Sequence, residues 1–246
     1  MDRGIWASWY DLPEDKKEDY CAWLHGRHLP AMRGRAGFLW AAHYEVAGEG
    51  AQMEQVKNTA LTYAAPDALP GGTGYVLLFG AVSPHVFFDP TLADIEKEHD
   101  EETNAMLGLR TGYRECIFSE EARVDGPDVA ARGPGITPGP AIQMGQFISR
   151  DAEAEHDLGA WYAQYRLKFM EGMPGCIGAR KLLSAAGWAK HSIMYEFTSI
   201  EAREEGFQKH ESLSLDESGW SGRVVRSLIH APGSPSVGRR LWPPVN

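Results

Sequence analysis

YCAWLHGRHLPAMRGRAGF, residues Tyr20 to Phe38, returns 138 positions later as LGAWYAQYRLKFMEGMPGC, Leu158 to Cys176. Without a gap, Ala22 and Trp23 fall on Ala160 and Trp161, Leu29 on Leu167, Met32 on Met170, Gly34 on Gly172 and Gly37 on Gly175. The matches are apolar packing positions and turn glycines, which a duplicated scaffold must keep. The mismatches are polar: His25 falls on Ala163 and His28 on Arg166. Packing kept twice and histidines kept once predict one specialised pocket, in the first half.

Working outward from this pair, the same order of elements occurs twice. Residues 5–10 read as a strand, and Asp11, Leu12 and Pro13 open a helix that runs to about Leu29, ahead of Pro30. Residues 38–46 and 75–82 are strands; Ser83 and Pro84 open a second helical stretch that takes in the acidic segment 94–104, and 113–118 is a fourth strand. In the second half, 142–149, 153–171, 177–184, 192–198, 200–209 and 228–231 repeat the succession. The Gly- and Pro-rich stretch 126–140, GPDVAARGPGITPGP, reads as a linker. The expected organisation is therefore α+β: a ferredoxin-like (βαββαβ) repeat over 1–125 with an insertion at 47–74, and a second over 141–246 with a C-terminal tail.

Composition narrows the function. The 246 residues are 43% hydrophobic and 24% charged, with a formal net charge of −10 that disfavours nucleic acid or an anionic membrane as partner. No apolar run is long enough to span a bilayer, and residues 1–6 lack an apolar signal core, so the expected location is cytoplasmic. Cys21, Cys116 and Cys176 lie far apart, in none of the paired spacings of zinc sites, and are expected to be free. No phosphate-cradling loop, dinucleotide fingerprint or nucleophile elbow is present.

A ferredoxin-like sheet carries both helices on one face and leaves the other bare, so two copies can bury their bare faces against each other and close a barrel around a small-molecule pocket. The chain resembles the dimeric α/β-barrel superfamily and, within it, the EthD-like proteins and their muconolactone-isomerase relatives, with two subunits fused in one chain. The resemblance is carried by the helix end His25, Gly26, Arg27, His28, Leu29 and Pro30, the turn at Ala36 and Gly37, the strand end His43, Tyr44, Glu45 and Val46, and Met173, Pro174 and Gly175 in the second copy. It implies chemistry without metal or organic cofactor on small, often aromatic or polyketide-like molecules. It further implies that a histidine near the end of the first helix acts as general acid/base beside a strand tyrosine or histidine, which here gives His28 with His43 and Tyr44. The long insertion and the tail from Pro232 to Pro244 depart from the family's minimal pattern.

Read from the residues alone, Tyr20, Cys21, Leu24 and His28 share one stripe of the helix, and His25 sits at its edge. His28 could equally cap the last carbonyls of a helix that stops before Pro30. For a metal bound by His25 and His28 at i, i+3 the sequence names no third ligand. On strand 38–46, Trp40, Ala42 and Tyr44 face one way and His43 the other; on the first strand Tyr10 and Trp9 face oppositely. Tyr195 and Arg166 extend the candidate substrate-binding set of Tyr10, Trp9, Trp40 and His25. The insertion reads as a lid or as a cover for a sheet edge. Arg239, Arg240, Leu241 and Trp242 read as a partner for a substrate carboxylate or as the contact of a homodimer.

Three functions follow as expectations: a cofactor-independent lyase (decarboxylase) or isomerase of small aromatic compounds using His28; a monooxygenase or haem-dependent oxidoreductase; and a non-catalytic small-molecule binder.

Overall fold

The computed structural model describes residues 2–47, 51–132, 137–206 and 218–245. The strands are β1 (Gly4–Asp11), β2 (Phe38–Val46), β3 (Thr62–Tyr63), β4 (Tyr75–Ala81), β5 (Thr111–Asp125), β6 (Ala141–Ser149), β7 (Cys176–Gly187), β8 (His191–Phe197), β9 (Leu228–His230) and β10 (Ser236–Trp242). The first repeat forms an antiparallel sheet in the order β2-β4-β1-β5, and the second orders β7-β8-β6 with β9 and β10 beyond. β5 pairs with β7, and β10 pairs with both β2 and β6, so the two sheets close into one eight-stranded antiparallel barrel.

The duplication seen in the sequence continues into backbone detail. A register shift lies between Phe38 and Trp40 in β2 and, 138 residues on, between Cys176 and Gly178 in β7. Gly37 and Gly175 both take positive φ, 84° and 81°, at the turn from helix to strand. Both long helices contain a π-turn at the matching place, Leu24–His28 and Tyr162–Arg166. The first helix does not stop before Pro30 but runs on through Leu29–Arg33. The Leu29 amide bonds Leu24 O, one residue further back than in an α-helix. Proline does not cause the turn, because Lys168 occupies that place in the second copy. With the helix continuing, His28 caps nothing.

The barrel interior corrects a second expectation. Among the described residues it is filled by side chains: Trp9, Trp40, Tyr44, Phe118, Leu182 and Met194 pack there. Between them runs a buried ionic network. Asp2 accepts from Arg180, Arg123 and Trp40 Nε1, and Glu196 accepts from Arg180 Nε and Arg132. Burial alone would raise the Asp2 carboxyl, but the Arg180 and Arg123 charges outweigh it and lower it.

The remaining segments seal the ends. The helix Ala51–Thr59 and β3 of the insertion lie against the second repeat, with Thr62 and Tyr63 pairing in parallel with β9, so the insertion covers a sheet edge. The stretch after Pro232 is no appendage: β10 continues the last strand after an interruption and pairs with β2 to close the barrel, which gives Arg239 to Trp242 a structural role within this chain. Among the described residues no helix is long and apolar enough to cross a membrane.

Candidate functional site

The sheet alternation that sends Trp9, Trp40 and Tyr44 into the lumen sends Trp6, Tyr10, His43, Leu77 and Phe79 to the opposite face, under the helices of the first repeat. There the helices stand off the sheet and leave a cavity of about 180 Å³. Trp6, Leu77 and Phe79 form its floor, and Leu92, Ile95 and Leu107 its roof. Its polar groups are His28, Glu96, His99, Arg110 and Tyr113.

His28, the last residue of the π-turn, lines this cavity. Its ring stacks on Trp23 at 5.0 Å, meets His99 edge-on at 5.9 Å and makes no hydrogen bond to a described residue. Burial, the Arg110 charge and His99 together hold its pKa down to about 3, so the imidazole is neutral with a free lone pair at neutral pH. Arg110 donates through Nε to Tyr20 Oη at 2.6 Å and lies 4.6 Å over the Tyr10 ring, while its Nη2 is buried with no hydrogen-bond partner among the described residues. His99 Nε2 is likewise buried and unpartnered. Tyr113 donates to Glu115, and burial with that carboxylate raises its pKa. A neutral imidazole, a fixed cation and an orphaned imidazole nitrogen thus line one small apolar chamber. The arrangement suits removal of a proton from a flat, weakly acidic molecule and pairing of the oxyanion that results.

Beside the cavity runs a chain of hydrogen bonds. Arg110 donates to Tyr20, Tyr20 to Tyr10 (3.4 Å), Tyr10 Oη meets His43 Nε2 at 2.9 Å, and His43 Nδ1 meets His25 Nε2 at 2.8 Å. His43 is fully buried, and its pKa is well below the usual value through burial, His25 and Arg110; burial also lowers His25. His25 further stacks with Trp242 at 6.5 Å.

Of the residues singled out in the sequence, His28 reaches the cavity, and Tyr10, His25 and His43 form the adjoining chain. Trp9, Trp40 and Tyr44 do not reach it. Tyr44 donates to Gly139 O inside the barrel, and burial raises its pKa well above the usual tyrosine value. In the second repeat Arg166 stands at the His28 position, buried, donating to Tyr195 Oη at 2.8 Å and stacked 4.9 Å over that ring. Sequence reading missed Arg110 and His99, and named Tyr113 only as one of the strand aromatics expected to line or support a cavity. Arg110 precedes the fourth strand and is brought to the cavity by the pairing of β5 with β1, whereas His99 sits in an acidic stretch that reads as solvated surface and meets His28 from between the helices Leu92–Glu96 and Glu101–Leu107.

No protein-family model matches the chain, and no curated protein matches it significantly. Solved structures do. An anthrone oxidase-like protein superposes with a TM-score of 0.58 at 13% identity, over 97% of this chain and 90% of the other. A candidate monooxygenase of Fusobacterium nucleatum gives 0.55 at 8% identity over 98% and 92%, and a candidate chlorite dismutase 0.52 at 11% over 98% and 96%. At such identities the shared property is the path of the backbone, and the coverage shows that both repeats share it. The chain has the dimeric α/β-barrel fold, with two ferredoxin-like units joined in one polypeptide.

Proposed function

We propose that the protein is a cofactor-independent oxidoreductase of the monooxygenase type, acting on a one- or two-ring phenol or comparable carbon acid in the His28 cavity. The observation that carries this reading is the buried, unpartnered Arg110 Nη2 in a chamber whose imidazole, His28, is neutral. A buried donor left without an acceptor costs about 1–3 kcal/mol, and a bound oxyanion removes that cost. The volume agrees with the size of the ligand, since an apolar cavity of roughly 150 Å³ admits benzene. The same volume is far too small for a porphyrin, so the residues at His28 do not fit a haem.

His28 takes the hydroxyl proton, and Arg110 pairs with the phenolate oxygen. The electron-rich para carbon then gives an electron pair to O2. A carbon–oxygen bond forms, the ring C–H proton is lost, the O–O bond breaks, and the products are the para-quinone and one water, which accounts for both oxygen atoms. The monooxygenase and oxidase descriptions of structures with this fold support an oxidative outcome over the lyase or isomerase that the same proton transfer would also serve. An oxygen electrode with phenol, 1-naphthol and anthrone as a size series tests it. Expected is one O2 consumed per quinone formed, fastest for the one- and two-ring members. Product formed without oxygen uptake would return the protein to the lyase or isomerase class, and tight binding without product would make it a binding protein.

A further inference from the structure

Cys21, His25 and His43 bring one thiol sulfur and two imidazole nitrogens to within 4.8 Å of one another. We propose that these three residues form a site for a borderline-soft transition metal ion of the zinc or copper class. The site lies apart from the His28 cavity and does not depend on the reading proposed for it. Zinc bonds of about 2.3 Å to sulfur and 2.0–2.1 Å to nitrogen put tetrahedral donors roughly 3.3–3.6 Å apart, so a side-chain shift of about 1 Å closes the present spacing on an ion. His43 and His25 already touch at 2.8 Å through the nitrogens that would bind, and need to part by only about half an ångström.

The surroundings fit a ligand set. His43 Nε2 faces Tyr10 Oη at 2.9 Å, which leaves Nδ1 for the metal: a ligating histidine commonly has its other nitrogen held in this way. His43 is buried, whereas Cys21 and His25 are half-buried, so an ion enters from outside and keeps an open fourth position. Thiolate with two imidazoles selects against magnesium and calcium, which take oxygen ligands.

The second repeat supplies an internal comparison. At the matching places stand Gly159, Ala163 and Lys181, so all three donors differ together. There the Lys181 ammonium occupies the place of His43 and is paired with Glu121 at 3.1 Å. A side-chain cation thus sits in one copy where the other offers three donors for a metal cation.

The test is titration of the purified full-length protein with cobalt(II) chloride, followed by absorption. Expected is one cobalt per chain, with visible bands of a tetrahedral ion and a near-ultraviolet thiolate charge-transfer band. Cys21→Ser should abolish the charge-transfer band, whereas Cys116→Ser should keep it. His25→Ala should weaken binding by at least the roughly 10- to 100-fold that loss of an outer-shell partner costs, and Tyr10→Phe by an amount within that range. His25 is half-exposed, so its variant keeps the test valid should Cys21→Ser fold poorly. A titration unchanged by Cys21→Ser and by His25→Ala, or wild-type protein that binds no cobalt at millimolar concentration, would overturn the assignment.

Discussion

Arg110 holds the candidate site together. It reaches Tyr20 with one donor, rests on the Tyr10 ring, lowers the basicity of both His28 and His43, and keeps Nη2 free for a ligand. Burial is the largest cause of the His28 pKa near 3 and the Arg110 charge adds to it; a bound oxyanion neutralises that added part, so in the proposed reaction His28 gains basicity as the substrate's negative charge develops. A chromophoric phenol such as 4-nitrophenol should therefore bind as its yellow phenolate below its free pKa, and Arg110→Met should abolish that colour change. A complex that stays colourless in the wild type would remove Arg110 as the oxyanion partner. The sequence named His28 because its two copies differ there; it could not name Arg110, whose place depends on how β5 lies beside β1.

At the scale of elements, the turn between helix and sheet aims the site. Gly37 sits at φ 84°, and a Cβ there would lie 2.7 Å from Val86 Cγ2. Gly37→Ala should cost about 1–2 kcal/mol for the left-handed backbone alone, with the clash added. Gly26→Ala, inside the π-turn with nothing within 4 Å, should leave stability equal or raise it by up to about 1 kcal/mol. Equal melting temperatures for the two variants would contradict this account. The glycines, strand alternation and repeat were legible because each is a local constraint repeated in both copies. The π-turn was not, since it changes backbone hydrogen bonds without changing composition. Nor was the role of 236–242, because an interrupted strand reads from sequence as an end.

At the scale of the molecule, four buried histidines among the described residues are held neutral: His28 to about 3, His191 and His230 to about 4, and His43 well below its usual value. Burial is the largest cause for each. In the unfolded chain each binds a proton near pH 6.5, so below that pH the unfolded state holds more protons and stability falls as pH falls toward about 4. Near pH 5 unfolding should take up about four protons, a slope on the order of 5 kcal/mol per pH unit. Denaturant melts at pH 7, 6 and 5 check this; flat stability over that range would contradict it.

The barrel itself was legible from the duplicated pattern, but its filled lumen was not, because strand alternation gives two faces without saying which one holds the cavity. The proposed working site lies on the helix-covered face of the first repeat, with His28 as its base. The most direct measurement is oxygen uptake with the best substrate of the size series, paired with thermal melting, for His28→Ala and Arg166→Ala. His28→Ala should lower turnover by roughly 10²- to 10⁴-fold with little change in Tm. Arg166→Ala, which removes a buried side chain bonded to Tyr195, should lower Tm while its folded fraction keeps normal turnover. A His28→Ala protein that melts early while its folded fraction consumes oxygen at the normal rate would contradict the account.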